Sequence, residues 1–375
     1  MTHRPVMVFH APYPVGGDSP QASAVRPIRM RQAFADIGFD VIDITGNARD
    51  RARTVRMLSK QLREGLRVEF GYGENSTMPT VLTQPHHLPT HPLVDLNLLR
   101  LLRRHGIPTG LFYRDIYWRF DEYTDRVNPA IAVGTRSLYH AELLVYRHLL
   151  DRVYFPSMRI ASYVPHLVRE QTRALPPGGR ARDATSSHAP SSSQTCLTVL
   201  YVGNISPYYR MHELVRAVND TPGVRLVLCV PEPSWAAVTT EYVEWMGDRI
   251  EVVHRSGEGL NDLFAQADVC SLMVEPSAYR DFAAPIKLYE YLGYGKPVLA
   301  SAGTLAAATA EKERFGWAVA YDAQAISARL VDLRDDAPTV TAVTTEAEKV
   351  RHAHTWTARA AAVASDLASL DTRVL

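Results

Sequence analysis

Short runs of consecutive apolar residues recur along the chain and alternate with segments in which apolar residues follow a helical spacing. Before residue 174 the runs span residues 6–9, 41–44, 80–83, 109–113 and 152–155. After residue 196 they span residues 197–202, 225–230, 250–253, 269–273 and 297–300. Apolar strands that alternate with amphipathic helices are typical of parallel sheets covered on both faces. The pattern predicts an α/β fold with two doubly wound, Rossmann-like domains in tandem.

The two sets of runs are separated by residues 174–197, in which Pro, Gly, Ser, Thr and Arg dominate. Such a composition is typical of a flexible linker or a long surface loop. We therefore predict a first domain over residues 1–173, a linker over 174–197 and a second domain over 198–344. Residues 345–375 predict a final helix, which either caps the second domain or crosses back to the first.

Charge divides the chain at the same place. The net charge of +1 gives no overall field for a nucleic acid, so we exclude that partner. Residues 1–172 carry 22 basic and 16 acidic side chains, whereas residues 173–375 carry 19 and 24. The first half could therefore still attract an anionic surface.

Cysteine content and hydropathy bear on the compartment. Three scattered cysteines are too few for a disulfide framework or a zinc site, which favours a reducing compartment. No apolar stretch approaches the roughly 18 residues of a membrane span. The N-terminal segment Val6–Val15 is short and is broken by Pro12 and Pro14, so it does not predict a signal sequence. We expect a cytoplasmic protein, either free or peripheral on the inner face of the cell membrane.

Candidate chemistry begins at two turns that each follow a predicted strand. Gly16 and Gly17 lie in the first turn, where backbone N–H groups either meet a phosphate or sugar or form a plain tight turn. Gly203 and Arg210 lie in the turn that opens the second domain. Ligands of open α/β folds bind at such turns, and a guanidinium there suits a phosphate. The alternative for Arg210 is a surface cation at a helix start.

The densest group of special residues spans residues 281–301. A loop leads to Pro285, which suits the first position of a helix, and a glycine-rich exit then leads to a buried strand. Glu290 follows Lys287 by three residues, so both side chains lie on one helix face. Either they form a surface ion pair or they face a ligand together.

This segment resembles the second-domain motif of GT-B glycosyltransferases of family 4, also called group 1. Their pattern P-x-K-x-x-E-Y-x-x-x-G-K-P-V is matched by Pro285, Lys287, Glu290, Tyr291, Gly295, Lys296, Pro297 and Val298. The resemblance extends more weakly over nearly the whole chain. It implies two Rossmann-like domains that face a central cleft.

The resemblance also implies roles for individual residues. Glu290 would hold the ribose hydroxyls of a nucleotide-sugar donor, while Arg210 and Lys287 would neutralise its diphosphate. Backbone amides of Phe282, Ala283 and Ala284 would contact the donor sugar or phosphate. Gly16 and Gly17 would admit the diphosphate or the acceptor from the first domain.

The chain departs from the family at two positions. Many relatives carry an acidic residue eight positions before the ribose-binding glutamate, and Phe282 stands there in this chain. The turn after Gly203 carries one cation, Arg210, where relatives often carry two.

Catalytic candidates in the first domain follow the run at residues 109–113. Arg114 and Asp115 lie where related enzymes often carry a His-Asp pair beside the reacting sugar. Asp115 could accept the proton of the acceptor or stabilise positive charge on the donor sugar, and the alternative is a structural Arg-Asp pair. Candidates for acceptor contacts lie in a proline-rich loop: His86, His87 and His91. No D-x-D sequence occurs, so we predict neither a metal site nor a cofactor.

A predicted helix over residues 49–66 carries a stripe of cations. The stripe consists of Arg49, Arg53, Arg56, Lys60, Arg63 and Arg67, at alternating spacings of three and four. Such a helix either lies on an anionic membrane or is a solvated face.

Together these patterns predict a glycosyltransferase that moves a hexose from a nucleotide-diphosphate sugar to a hydroxyl. The expected acceptor is a lipid-linked or cell-envelope saccharide, and the resemblance implies retention of anomeric configuration. The alternatives are a sugar-nucleotide epimerase or phosphorylase of the same fold, or a nucleotide-sugar-binding scaffold without catalysis.

Overall fold

The structure is a computed structural model and describes residues 4–16, 22–120, 123, 127–182, 196–206 and 209–370. The chain divides into two compact units. The first contains the residues up to Pro176 and those from Trp356 onward, and the second contains Pro177–Thr355.

A six-stranded parallel sheet forms the centre of the first unit. Its strands are β1 (Val6–His10), β2 (Asp40–Ile44), β3 (Phe70–Glu74), β4 (Thr109–Phe112), β5 (Arg152–Phe155) and β6 (Thr172–Ala174). The strand order is β2-β1-β3-β4-β5-β6. The direction in which successive strands are added reverses between β1 and β3, and ligands of open α/β sheets bind at such a switch point.

Five helices cover this sheet in the described part of the unit: Ala22–Asp36, Ala48–Arg63, Val94–Arg104, Pro129–Leu149 and Trp356–Ala368. The last of them buries Trp356, Ala360 and Val363 in the same apolar core as Phe34 and Tyr72. The final helix of the chain therefore packs within the first unit.

The second unit has its own six-stranded parallel sheet. Its strands are β7 (Leu197–Val202), β8 (Val224–Cys229), β9 (Ile250–Val253), β10 (Val269–Leu272), β11 (Val298–Ser301) and β12 (Gly316–Val319). Along the sheet the order is β9-β8-β7-β10-β11-β12, the arrangement of dinucleotide-binding folds. The switch point lies between β7 and β10.

Helices on both faces complete the second unit. They span His212–Asp220, Glu232–Ala236, Thr239–Tyr242, Leu260–Gln266, Ala278–Phe282, Ile286–Gly293, Leu305–Lys312, Ala323–Asp335 and Ala337–Val350. No helix of the described residues in either unit is long and apolar enough to cross a membrane. The two sheets confirm the predicted α/β class.

One predicted strand is wrong, and one strand was missed. Residues 80–83 were expected to form a strand, but Thr80–Leu82 is a 3-10 turn. The strand is instead Phe70–Glu74, in which glycines interrupt the apolar run. A Cβ at Gly71 would lie 2.8 Å from Leu102 Cδ1, so the glycine allows a helix to pack closely on the strand. Gly71 therefore has two effects. It interrupts the apolar pattern of the strand, and it leaves space for the helix that packs on the strand.

The predicted linker is ordered at both ends. Ala174 belongs to β6, and the N–H of Gly179 donates to the carbonyl of His354 at 2.8 Å. A Cβ on Gly179 would overlap the carbonyl oxygen of Tyr289, so the glycine permits close contact with a helix. Residues 183–195 of the predicted linker lie outside the described residues.

The predicted final helix is interrupted. The helix Ala337–Val350 leads through a 3-10 turn, Arg351–His354, to the separate helix Trp356–Ala368. Thr355 between them is extended, with φ −84° and ψ 162°. The alanine-rich pattern continues across this break and gives no signal of it.

Candidate active site

The switch point of the second unit gathers most of the predicted donor residues. The turn that contains Gly203 and Arg210 follows β7, and the loop of residues 273–285 follows β10, its neighbour in the sheet. Gly203 has φ +138°, and a Cβ there would overlap the side chain of Lys287. The glycine therefore leaves room for the lysine beside the backbone of the turn.

Lys287 lies among aromatic rings rather than carboxylates. Its Nζ donates to the hydroxyl of Tyr201 and lies 4.4 Å and 4.5 Å from the ring centroids of Tyr201 and Tyr209. Burial lowers the pKa of Lys287 to about 7, Glu290 opposes this shift and Arg280 adds to it. Because its charge is poorly compensated, the ammonium would gain from a bound anion.

Arg210 is exposed at the same turn. Its guanidinium lies 3.7 Å from the carboxylate of Glu275, and both side chains are about half exposed. The carbonyl of Arg210 accepts hydrogen bonds from the Glu275 N–H at 3.0 Å and the Tyr321 hydroxyl at 2.9 Å. The backbone is therefore fixed to the loop after β10. The exposed ion pair is weak and can exchange its carboxylate for another anion.

Arg280, which the sequence analysis missed, also lies at this switch point. It comes from the short helix Ala278–Phe282, and its guanidinium carbon lies 5.3 Å from the ring centroid of Tyr209. Its Nη1 donates to the carbonyl of Glu275. Burial lowers the pKa of Arg280. No sequence spacing links Arg280 to Tyr209, which lies 71 positions earlier.

Glu290 lies on the exposed face of the helix Ile286–Gly293, one turn after Lys287. Pro285 precedes the first helical residue, so its predicted position is wrong by one residue, a shift within the usual uncertainty of helix ends.

The predicted amide contacts at residues 282–284 are partly wrong. The side chain of Phe282 is buried and packs on Tyr279, with ring centroids 5.1 Å apart. The N–H of Ala283 donates to the carbonyl of Tyr279 at 3.1 Å, because it closes the short helix. That amide is therefore not available to a ligand in this conformation. Ala284 is half-buried, and its contact with a donor stays a prediction.

The second half of the motif supports the fold. The Tyr291 hydroxyl donates to the Val202 carbonyl at 3.0 Å and accepts the Val202 N–H at 2.9 Å. The Nζ of Lys296 donates to the carbonyl of Ala267 at 2.8 Å. Gly295 adopts φ +69°, which favours glycine. These contacts hold the helix that carries Lys287 and Glu290 against the end of β7.

The switch point of the first unit contains a cavity of about 430 Å³. Its lining follows the carboxyl ends of β1, β3 and β4 and adds residues from two further segments. The lining residues are Tyr13, Pro14, Val15, Gly16, Pro27, Ile28, Ser76, Thr77, Met78, Thr83, His87 and Arg114. Gly16 has φ +139°. Gly17 lies outside the described residues.

One side of this cavity is a polar network. Arg114 Nη2 donates to the hydroxyl of Tyr13 at 3.2 Å, and the Arg114 N–H donates to Asn75 Oδ1 at 2.8 Å. The Tyr13 hydroxyl donates to the Asn75 carbonyl at 3.3 Å. Burial raises the pKa of Tyr13, so its hydroxyl stays protonated at neutral pH. The cavity thus offers one guanidinium and several hydroxyls among mostly apolar walls.

Comparison with known families identifies the second unit. Residues 196–336 match the family model described as "Glycosyl transferases group 1", and the match contains Gly203, Arg210, Lys287 and Glu290. The second unit therefore matches a group 1 glycosyltransferase domain, in agreement with the resemblance of its motif to that family.

Solved structures agree with the fold of the whole chain. HepE of Anabaena, solved with UDP-glucose, is 12% identical with a TM-score of 0.63, over 98% of this chain and 100% of that one. Sucrose-phosphate synthase of Thermosynechococcus elongatus is 15% identical with a TM-score of 0.63, over 97% and 98%. WaaG, a glycosyltransferase involved in lipopolysaccharide biosynthesis, is 15% identical with a TM-score of 0.56, over 97% and 100%. No curated protein sequence matches the chain. The structural neighbours confirm the GT-B fold.

Asp115 lies next to the cavity residue Arg114. Its Oδ1 accepts the N–H of Tyr117 at 2.9 Å, at the first residue of the 3-10 turn Tyr117–Arg119. Asp115 itself is not among the cavity-lining residues. The predicted catalytic role of Asp115 stays a prediction.

The three candidate histidines are not equivalent. His87 lines the cavity, with Nδ1 at 3.1 Å from the carbonyl of Leu82. His86 Nδ1 accepts the N–H of Leu88 at 3.1 Å, and His91 Nδ1 lies 3.0 Å from the Thr90 hydroxyl. Neither His86 nor His91 lines the cavity. Across the described ranges, no group of three His, Cys, Asp or Glu side chains could hold a metal ion.

Two buried ion-pair clusters of the first unit were also missed. Arg51 donates to both carboxylate oxygens of Asp95, at 2.8 Å and 2.9 Å, and His10 Nε2 lies 2.8 Å from Asp95 Oδ1. Although burial opposes ionisation, His10 and Arg51 lower the pKa of Asp95 to about 2. In the second cluster Arg26 Nε donates to Glu74 Oε1 at 3.0 Å. Residues this distant in sequence leave no local signal.

The basic stripe is exposed along the helix Ala48–Arg63, and Arg67 follows the end of that helix. Arg53 lies 4.0 Å from Asp50, and Lys60 lies 3.7 Å from Glu64. Among the described residues, Arg49, Arg56 and Arg63 form no ion pair. The cations of the stripe are therefore largely uncompensated at the surface.

Proposed function

We propose that this protein is a glycosyltransferase that moves a hexose from a nucleotide-diphosphate sugar to a hydroxyl of a lipid-linked or cell-envelope saccharide. The observation that carries the donor assignment is the position of Lys287, desolvated and without a carboxylate partner within 4 Å in the described residues, at the switch point beside Arg210. HepE, which has the same fold, was solved with UDP-glucose and with UDP.

In this proposal the second unit stabilises the leaving group. The bond between the anomeric carbon and the diphosphate oxygen breaks, so negative charge grows on the diphosphate. Arg210 and Lys287 meet this charge, a role that a metal ion has in other enzymes. Glu290, one helical turn from Lys287, accepts hydrogen bonds from the two ribose hydroxyls.

The first unit binds the acceptor in its 430 Å³ cavity, which is within the usual size range of ligand pockets. The hydroxyl of the acceptor forms the new bond to the anomeric carbon, and its proton passes to Asp115. His87 and Arg114 orient the acceptor through hydrogen bonds. From the resemblance we propose retention of the anomeric configuration, which NMR of the product would test.

A membrane role for the basic stripe belongs to the same proposal, because a lipid-linked acceptor is presented at a membrane. Each cation near an anionic bilayer contributes about 1 kcal/mol. WaaG, involved in lipopolysaccharide biosynthesis, shares the fold and supports a cell-envelope acceptor.

The donor assignment is tested by calorimetric titration with UDP-glucose, GDP-mannose and ADP-glucose. We expect one of these donors to bind and Glu290→Ala to weaken its binding about tenfold or more. Glu244→Ala, which changes an exposed glutamate of the same unit, is the matched control. Equal binding by Glu290→Ala and the wild type would contradict the assignment. Isomerisation of the donor, or its cleavage by phosphate, would contradict transfer.

A further inference from the structure

Two cations from different elements approach the ring of one tyrosine. Lys287 Nζ lies 4.5 Å and the Arg280 guanidinium carbon 5.3 Å from the centroid of Tyr209. The two charges are therefore no more than about 10 Å apart. Tyr209 immediately precedes Arg210, so the pair lies beside a third cation.

The recorded hydrogen-bond partners of both cations are neutral groups. Lys287 Nζ contacts the Tyr201 hydroxyl and lies 3.5 Å from the Asn204 carbonyl, while Arg280 contacts the Glu275 carbonyl. In the part of the chain that the structure describes, neither cation has a carboxylate within 4 Å. Like charges held this close in a partly desolvated place destabilise each other. An anion between them would remove that repulsion.

Arg280 suits a phosphate better than a second lysine would. Its planar guanidinium can donate two parallel hydrogen bonds to phosphate oxygens while stacking on an aromatic ring. Its helix, Ala278–Phe282, follows β10, whereas Tyr209 follows β7. The two strands on either side of the switch point thus supply the guanidinium and the ring that supports it.

We propose that Arg280 is a further donor-binding residue, which together with Lys287 holds the donor diphosphate beside the Tyr209 ring. This inference rests on the proposed function. Relatives often carry two cations in the turn after β7, whereas this chain carries one there. In our proposal Arg280 takes the place of the second cation. Tyr209 acts as a positioning residue, because its ring faces both cations.

The test compares nucleoside diphosphates with monophosphates in calorimetric titrations. UDP, GDP and ADP are titrated into the full chain, and the diphosphate that binds is then compared with its monophosphate. We expect Arg280→Ala to weaken diphosphate binding about tenfold or more and to change monophosphate binding by less than about twofold. Arg280→Lys should lie between Arg280→Ala and the wild type.

Arg216→Ala is the matched control. Arg216 is also half-buried and stacks on an aromatic ring of the same unit, with its guanidinium carbon 4.1 Å from the Trp245 centroid. Tyr209→Ala should weaken diphosphate binding, and Tyr209→Phe should not. Thermal unfolding of every variant identifies those that do not fold.

Three results would overturn the inference. The first is unchanged diphosphate affinity in Arg280→Ala. The second is equal weakening of monophosphate and diphosphate, which would indicate general charge attraction. The third is weaker binding of the nucleotide sugar by Arg280→Ala with unchanged binding of the diphosphate, which would place Arg280 at the sugar. If the wild type binds none of the three diphosphates, the proposed function fails instead, because the donor assignment itself is then wrong.

Discussion

Charged side chains have opposite surroundings at the two switch points. Near β1 and β3 of the first unit, buried charges neutralise one another, as in the pairs Arg51–Asp95 and Arg26–Glu74. Near β7 and β10 of the second unit, Lys287 and Arg280 face tyrosine rings and carbonyl oxygens. A paired buried charge is already compensated and contributes to the fold. A cation without a carboxylate can take an anionic ligand, and under the proposed function this difference separates structural from functional residues.

The largest expected effect comes from breaking a pair of the first unit. Asp95→Ala would leave Arg51 buried without its carboxylate, which we expect to destabilise the protein by about 3–5 kcal/mol. Denaturant unfolding measures this loss. Exposed Asp332 is the control position, because its substitution by alanine should change the free energy of unfolding little. An unfolding midpoint unaffected by Asp95→Ala would show that this charge cluster is not structural.

Acid gives a second measurement of the same pair. The pKa of Asp95 is about 2 in the folded protein and about 4 in an unfolded chain. The stabilisation it contributes is therefore complete above pH 4 and is lost as the pH falls toward 2. We expect Asp95→Asn to remove this part of the acid dependence of unfolding. The same acid dependence in wild type and variant would contradict the assignment.

The opposite behaviour is expected of Lys287. Lys287→Met removes a desolvated cation, so we expect an unchanged or slightly higher unfolding temperature together with a loss of about 10²–10³ in transfer rate. Transfer is measured with the donor found by titration, and Lys349→Met at an exposed position is the control. A large loss of stability in Lys287→Met would show that Lys287 supports the fold, as the charges at the switch point of the first unit do.

Donor binding should depend on pH through Lys287. Its pKa is lowered to about 7 in the free protein, and a bound anion raises it again, so binding takes up a proton. We therefore expect donor affinity to fall as the pH rises above 7, by up to about tenfold per pH unit. Lys287→Arg, which stays charged, should give a flatter profile. A wild-type affinity that is constant between pH 6 and 9 would contradict this linkage.

The cavity of the first unit allows a finer test. Because Arg114 is the one guanidinium among the described lining residues, Arg114→Ala should raise the KM for the acceptor about tenfold and leave the KM for the donor unchanged. Arg119, which is exposed and outside the lining, is the control position. A raised donor KM in Arg114→Ala would mean that this cavity does not serve the acceptor alone.

The smallest expected effect per substituted residue concerns the basic stripe. The triple variant Arg56→Ala, Lys60→Ala, Arg63→Ala should lose about 1 kcal/mol per residue of binding to vesicles that contain phosphatidylglycerol. Arg100, Arg103 and Arg104 form an exposed control triple on another helix of the same unit. Binding is measured by vesicle flotation. Equal flotation of both triple variants would indicate that net charge, rather than the stripe, attracts the protein to the vesicles.

The sequence allowed the fold and half of the proposed donor site to be predicted, for a physical reason. Lys287 and Glu290 lie on one helix, and Gly203 and Arg210 lie in one turn, so short spacings reveal them. Arg280 meets Tyr209 only because β7 and β10 are neighbours in the sheet.

The errors also have local causes. The glycines of β3 interrupt the apolar pattern of the strand because they leave space for neighbouring side chains. The Pro-Pro-Gly-Gly run of the predicted linker has the composition of a loop, although Gly179 lies against a helix. The charge pairs of the first unit join residues that are 44 and 48 positions apart. Such contacts depend on the assembled fold and leave no periodic signal.

The position of the helix Trp356–Ala368 has a consequence for biosynthesis. The second unit is contiguous in sequence, whereas the first is completed only by residues that follow the second unit. During synthesis the second unit can therefore finish folding while the first still lacks the helix that buries Trp356 and Val363 in its core. The N-terminal unit begins first on the ribosome and is completed last, which exposes it longest to chaperones.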